Sequence, residues 1–184
     1  MTVINQGQGP HARTLPLLHP ASLFFCVTMK LANDKKFNHN AGRRTGAVIL
    51  GRTMFDHGQP FWGDTPPFHM PVFILTHEER QTETKDGGTT YTFVTEGIER
   101  ALEQAKAAAG SKDVKIAGRA NVIQQHMGAG LLDELLITLV PILLGNGQKL
   151  FEHLPSDIEF ARTTVIESPG VTHLRYRLIH HAKA

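Results

Sequence analysis

Ten residues in three short runs could carry chemistry, because each run directly follows a stretch of apolar residues. Glycine lets a backbone approach a ligand closely, and the planar guanidinium of arginine can bind a phosphate through two hydrogen bonds. A glycine that precedes a helix exposes free N–H groups, which favour an anion. The three runs together therefore predict a site for a phosphate-bearing ligand, although any single run could be ordinary turn chemistry. The ten residues are Gly51, Arg52, Thr53, Thr76, His77, Gly118, Arg119, Ala120, Asn121 and Val122.

The elements that would position these runs are short apolar strands alternating with helices. The clearest helix is predicted from Glu96 to Ala109, with Thr95 as its cap and Gly110 as its stop. A second helix carries Ile123, Met127 and Leu131. Predicted strands are 22–29, 47–50, 72–75, 90–94, 113–117, 134–140, 160–167 and 172–179, with a loop at 61–71, a turn at 87–88, a tight turn at 144–147 and a hairpin turn at 168–170.

This order of elements predicts an α/β fold with a mostly parallel sheet, flanked by helices, and antiparallel C-terminal strands at one edge. In open sheets of this kind, the ligand lies at the carboxyl ends of the strands. All three runs are placed there.

Composition excludes several classes of protein. The 184 residues suit one domain, which we place at 21–184, behind a loose N-terminal arm at 1–20. The net charge of +2 without a dense basic stripe argues against nucleic-acid binding. Pro141 interrupts the longest apolar stretch, so no membrane span is expected. The single cysteine, Cys26, predicts a reducing, cytoplasmic compartment.

Other catalytic and metal-binding patterns are missing from the sequence. The eleven histidines include no HExxH motif, and there is no paired CxxC, so no metal site is predicted. No GxSxG or GxxxxGK motif is present either, which argues against a serine hydrolase and a P-loop enzyme.

In combination, the runs resemble the dihydrofolate reductase superfamily. The chain is most similar to the bacterial branch that resembles the C-terminal reductase domain of the bifunctional riboflavin-biosynthesis deaminase/reductase. The resemblance extends from about Gly46 to Arg177. The segments that carry it are 46–55, 71–77, 93–99, 116–118 and 131–147, the last of which ends in Leu144-Gly145-Asn146-Gly147.

The resemblance implies an NADPH-dependent reductase that acts like 5-amino-6-(5-phosphoribosylamino)uracil reductase of riboflavin biosynthesis. It places Gly51 and Arg52 beside the adenosine ribose and its 2′-phosphate, with Thr53 at the following helix start. It places Thr76 and His77 beside the adenosine. It assigns the pyrophosphate to Gly118 with the helix that begins at Ala120, Asn121 and Val122. A pterin or another small heterocycle is the alternative substrate.

The sequence departs from the family pattern at two places. Arg119 stands where a second glycine is usual, which adds a positive charge beside the expected phosphate. Ala32 stands where the substrate segment usually carries an aspartate, and the short stretch 30–46 leaves little room for the usual loop and helix. No catalytic residue is identified, since Asp34 and His39 read as solvated loop residues. A nucleotide-binding protein that has lost catalysis is therefore a second hypothesis.

The C-terminal strands carry more apolar residues than one small sheet needs. They are Val165, Ile166, Leu174, Tyr176 and Leu178 in the terminal hairpin, together with the stretch from Leu135 to Leu144. We therefore expect a homodimer that pairs through this region, as related proteins commonly do. The alternative is that these side chains all belong to the core.

Overall fold

A computed structural model describes residues 44–142, 147–152, 154 and 157–179. The described elements, in chain order, are β1 (Thr45–Gly51), α1 (Arg52–Trp62), β2 (Pro71–Leu75), β3 (Glu83–Thr84), a 3-10 turn (Asp86–Gly88), β4 (Thr90–Val94), α2 (Ile98–Ala109), β5 (Asp113–Ala117), α3 (Ala120–Gly128), β6 (Glu134–Leu139), β7 (Phe160–Ser168) and β8 (Val171–Leu178).

Five of these strands form a mixed, mostly parallel sheet in the order β3-β4-β2-β1-β5. β1 lies between β2 and β5 and is parallel to both, and β4 is parallel to β2. Only the two-residue strand β3, which the sequence did not predict, runs antiparallel, along β4. The predicted α/β class with a mostly parallel sheet is confirmed.

The two faces of this sheet pack against different helices. Ala47 and Ile49 of β1 join a buried cluster with α2, while Val48 and Leu50 join a cluster with α1. Successive side chains of a strand point to opposite faces, so a continuous apolar run is required where both faces are covered. The run 47–50 is therefore a strand buried on both faces, and its carboxyl end is fixed between two helices.

The antiparallel strands form a sheet of their own, in the order β6-β8-β7. The expectation that they extend one edge of the parallel sheet is thus wrong for the described residues. Leu135 of β6 and Leu178 of β8 pack instead with Ile123 and Met127 of α3, so α3 lies against this second sheet. The predicted hairpin is confirmed, since Ser168 pairs with Val171 across a turn in which Gly170 has φ 82°.

Three helix boundaries differ from their predictions. α3 ends at Gly128, so Leu131, which was expected in this helix, lies beyond it. α2 begins at Ile98 because Gly97, at φ 96°, turns the chain there, and Thr95 makes no capping hydrogen bond. The backbone N–H of Thr95 instead donates to the Glu96 carboxylate at 3.1 Å. α1 continues to Trp62, which was expected in a loop, because the indole packs edge-on against Phe55 and Phe68.

Several predictions fall on residues outside the described ranges. They are the N-terminal arm, the strand at 22–29 with Cys26, the substrate segment that contains Ala32, Asp34 and His39, and most of the tight turn at 144–147.

Candidate functional site

A cleft of about 490 Å³ opens at the carboxyl ends of β1, β2 and β4, beside the start of α3. Parallel strands end at one edge of a sheet, so residues that follow different strands meet there. The segment around Gln148 also lines the cleft, and it is attached to α3 because Gln124 Nε2 donates to the carbonyl of Lys149 at 2.9 Å. Eight of the ten predicted site residues line this cleft: Gly51, Arg52, Thr53, Thr76, His77, Arg119, Asn121 and Val122.

The other two predicted residues lie beside the cleft without lining it. Gly118 sits where β1 and α3 converge, and a Cβ built there would lie 3.5 Å from the backbone nitrogen of Gly51. Ala120 is buried and packs in the cluster between α3 and the second sheet. Both residues therefore shape the junction between strand and helix.

Gly51 is required by packing as well as by access to the cleft. A Cβ at this position would lie 2.7 Å from Cγ2 of Val122 in the first turn of α3. Real Cβ atoms essentially never make contacts that short, so a side chain at this position would require Val122 or the start of α3 to shift. The absence of a side chain at Gly51 brings the start of α3 close to the end of β1.

Arg52 is held in place by three side chains. Its Nε donates to both oxygens of Asp56, at 2.7 and 2.8 Å. Its Nη1 donates to Glu78 Oε2 at 2.8 Å and to Thr76 Oγ1 at 3.2 Å. These bonds, that to Asp56 first and that to Glu78 second, raise the pKa of Arg52 above its ordinary value. The guanidinium is thus a permanent, oriented cation at the cleft.

Thr76 connects β2 to this arrangement. Its hydroxyl oxygen accepts from Arg52 and also from the backbone N–H of Glu78, at 3.1 Å. Both lone pairs of the hydroxyl are thereby used, so its own proton remains as a donor. Thr76 is buried, and its backbone N–H donates to Val94 at 3.1 Å, which fixes the end of β2 against β4.

The first turn of α3 supplies the second feature that suits an anion. Arg119 occupies the N-cap position, and no side chain caps the free N–H groups of this turn. Unsatisfied N–H groups and the helix dipole attract negative charge. Within the described ranges no carboxylate forms an ion pair with Arg119, so its charge adds to that of the helix end.

Asn121 is less free than the sequence suggested. Gln125, one turn later on α3, donates its amide Nε2 to Asn121 Oδ1 at 2.5 Å. The side-chain carbonyl of Asn121 is therefore already occupied, and its amide nitrogen is the group left to meet a ligand. Gln125 itself lines the cleft.

Sequence reasoning missed several residues of the site. Glu78 follows the predicted pair Thr76-His77 directly, and Asp56 lies four residues after Arg52, which is the spacing of ion pairs on a helix. These spacings were the available signals. Thr95, Gln125 and Gln148 line the cleft without any pattern that marks them.

His126 is a fully buried histidine on α3. Burial lowers its pKa, against smaller opposing effects of the Val122 carbonyl and of Glu99. Its Nδ1 lies 2.7 Å from the Val122 carbonyl oxygen, so the neutral ring donates from Nδ1. It does not line the cleft, and its role is to hold α3 together.

Two features are absent from the part of the chain that the structure describes. No group of three or more His, Cys, Asp or Glu side chains is arranged to hold a metal ion. No helix there is long and apolar enough to cross a membrane.

The model of the RibD C-terminal domain family matches residues 16–173, which is most of the chain. The chain belongs to this family. The predicted resemblance is therefore confirmed, and the match includes every residue assigned to the cleft. It also includes the stretch 27–34, where the substrate segment was expected.

The RibD-type chain has a sequence relative in Bacillus subtilis, the uncharacterized protein YwjB. The two are 28% identical over 110 residues, which is 60% of each protein. The matched stretch thus spans less than two thirds of that relative.

Solved structures share the RibD-type fold. A protein from Shewanella sp. PV-4, named for riboflavin biosynthesis, matches with a TM-score of 0.65 at 24% identity. The match covers 83% of this chain and 84% of the Shewanella chain. The Thermotoga maritima deaminase/5-amino-6-(5-phosphoribosylamino)uracil reductase has a TM-score of 0.56 at 14% identity, covering 83% of this chain and 50% of its own. Dihydrofolate reductase from Enterococcus faecalis, complexed with NADP(H), has a TM-score of 0.51 at 17% identity, covering 82% and 83%. These similarities confirm the dihydrofolate-reductase-like fold.

Proposed function

We propose that this protein is an NADPH-dependent reductase of a small heterocycle, acting like 5-amino-6-(5-phosphoribosylamino)uracil reductase of riboflavin biosynthesis. The observation that carries the proposal is the cleft at the strand ends, where an oriented arginine and an uncapped helix start border the same space. A dinucleotide phosphate needs two anion sites, one for its 2′-phosphate and one for its pyrophosphate. Membership of the RibD C-terminal domain family supports the reaction class.

The residues of the cleft divide between these two anion sites. Arg52 and the hydroxyl proton of Thr76 would bind the 2′-phosphate, since both groups donate and face the cleft. The N–H groups at the start of α3 and the charge of Arg119 would bind the pyrophosphate. Charged hydrogen bonds of this kind are about twice as strong as neutral ones. His77 would border the adenosine.

NADPH would supply the hydride, and the protein would supply binding, orientation and exclusion of water. Val94, Ile98 and Met54 add apolar surface to the cleft, which limits the water that remains around a bound dinucleotide. A reductase also needs its substrate in near-attack contact with the hydride. By the family resemblance, the heterocycle would be bound by the stretch 27–34, which lies outside the described residues.

The test separates binding from turnover. The purified protein is first titrated with NADPH, and binding is followed by NADPH fluorescence. The oxidation of NADPH is then measured at a fixed enzyme concentration, once with the riboflavin-pathway pyrimidine and once with dihydrofolate. Binding with turnover of the pyrimidine is the expected result. If NADPH binds and only dihydrofolate is turned over, the proposed substrate would be a pterin instead of the pyrimidine. Binding without either turnover would favour a nucleotide-binding protein without catalysis, and no binding would overturn the proposal.

A control variant identifies the cleft as the binding site. Arg119→Ala removes the cation at the start of α3, so we expect weaker binding of both NADPH and NADH. Arg100→Ala removes a charge of the same kind from the exposed pair with Glu103 on α2, and neither of these two residues lines the cleft. Equal losses in the two variants would place the dinucleotide elsewhere.

A further inference from the structure

The guanidinium of Arg52, which we expect to bind the 2′-phosphate, is already neutralised by protein carboxylates. Arg52 forms ion pairs with Asp56 at 2.7 Å and with Glu78 at 2.8 Å. One positive and two negative charges thus stand together at this corner of the cleft. A phosphate dianion that approaches Arg52 meets a local excess of negative charge. This repulsion makes its binding weaker.

The two carboxylates differ in how they engage the guanidinium. Asp56 lies one turn along α1 and accepts from Nε with both of its oxygens, so it fixes the side chain from within the same helix. Glu78 accepts from Nη1 with one oxygen and comes from the segment after β2. Its side chain is 71% exposed, against 43% for Asp56.

Exposure and geometry make Glu78 the partner that a ligand can displace. Exposed ion pairs contribute little to stability, since water solvates the separated charges well. The backbone of Glu78 stays anchored when its side chain leaves, because its N–H donates to Thr76 Oγ1. Nη1 and the Thr76 hydroxyl are then presented together to the incoming group.

We infer that Glu78 is a specificity-determining residue that opposes the 2′-phosphate: it occupies Nη1 of Arg52 and must be displaced before NADPH can bind. The inference rests on the proposed function, in that it concerns the adenosine end of the same cleft. Arg52 favours the cofactor with the phosphate, and Glu78 reduces that preference. NADH, which has a neutral hydroxyl at this position, neither competes for Nη1 nor is repelled.

The experiment compares Glu78→Gln with Glu79→Gln. Both changes remove one negative charge, but Glu79, an exposed neighbour, makes no ion pair with Arg52 among the described residues. Dissociation constants are measured calorimetrically for NADPH, NADH, 2′,5′-ADP and 5′-AMP. The last two probe the adenosine end alone, so the result does not depend on the nicotinamide or on turnover.

We expect Glu78→Gln to tighten NADPH and 2′,5′-ADP by about three- to tenfold, the range typical for an exposed charge pair with added repulsion. NADH and 5′-AMP should change by less than about twofold, and Glu79→Gln should leave all four affinities within the same limit.

Three results would overturn the inference. They are an unchanged ratio of NADPH to NADH affinity in Glu78→Gln, an equal change in Glu79→Gln, and a loss of NADH affinity, which would make Glu78 a ligand of the ribose hydroxyl. Absence of binding by all four ligands to the unmodified protein would instead overturn the proposed function. The two failures are therefore distinguishable.

Discussion

Gly51 and Val122 lie in contact across the junction of β1 and α3, with 2.7 Å between Val122 Cγ2 and the place where a Cβ of residue 51 would stand. This contact sets the distance between the two features of the cleft that we propose bind anions. Arg52 follows Gly51 directly on one side, and the uncapped turn of α3 surrounds Val122 on the other. The geometry of the site thus depends on an apolar contact that involves no charged group.

Gly51→Ala should therefore destabilise the protein and weaken dinucleotide binding together. Overpacking of this kind costs about 1–3 kcal/mol in free energy of unfolding, which urea denaturation can measure. The double variant Gly51→Ala/Val122→Ala removes the atom that the new Cβ would strike and should recover most of that loss. A double variant less stable than Gly51→Ala alone would show that the contact is not the cause.

Arg52→Ala should remove the preference for NADPH. The variant loses a charged donor to the 2′-phosphate and leaves two carboxylates at the site, so NADPH affinity should fall by about tenfold or more. NADH affinity should stay within about twofold. Fluorescence titration of both cofactors checks this, with Arg100→Ala as the control, and an unmodified protein that binds both cofactors equally would contradict the role of Arg52.

His126 should make the stability of the protein depend on pH. Burial lowers the pKa of His126 in the folded state. Just below the ordinary value of about 6.5, the unfolded chain therefore binds a proton that the folded chain does not bind. The free energy of unfolding should therefore fall as the pH drops from about 6.5 toward the lowered pKa, and this contribution should vanish above that range.

His126→Asn is the matched variant for this prediction. The asparagine amide can replace Nδ1 as the donor to the Val122 carbonyl, yet it does not titrate. The free energy of unfolding of both proteins is measured with urea between pH 5 and 8, a window of about 1.5 units on either side of the ordinary histidine pKa. Only the protein with His126 should show the steeper loss of stability as the pH falls. Identical pH profiles would rule out His126 as the titrating group.

The C-terminal sheet should form a homodimer interface, as the sequence predicted. Leu139 of β6 and Val165 of β7 expose 40% and 45% of their surface, while Leu178 is buried in the core. Light scattering should give twice the mass of the 20.3 kDa chain. Val165→Glu should shift that mass toward the monomer, whereas Phe61→Glu, at an exposed apolar residue on α1, should not. A monomer at micromolar concentration would contradict the prediction.

Local pattern alone was sufficient for the described strands other than β3, and for the general place of the site. The apolar run 47–50 could only be a strand covered on both faces, and the alternation of strands with helices requires a mostly parallel sheet. Parallel strands end together, so the residues after β1 and β2 had to meet near the start of α3. Eight of the ten predicted residues meet there because this rule depends on order along the chain and not on detailed packing.

Tertiary structure decided the features that depend on contacts between distant residues. Glu78 reaches Arg52 across the ends of two strands, and β6 pairs with β8 in a second sheet because α3 offers both an apolar face. Neither contact leaves a periodic signal, since each depends on the position of another element in space. The sequence by itself determined where the charges of the site would gather. Only packing determined that Arg52, which we propose binds a phosphate, also meets the carboxylate of Glu78.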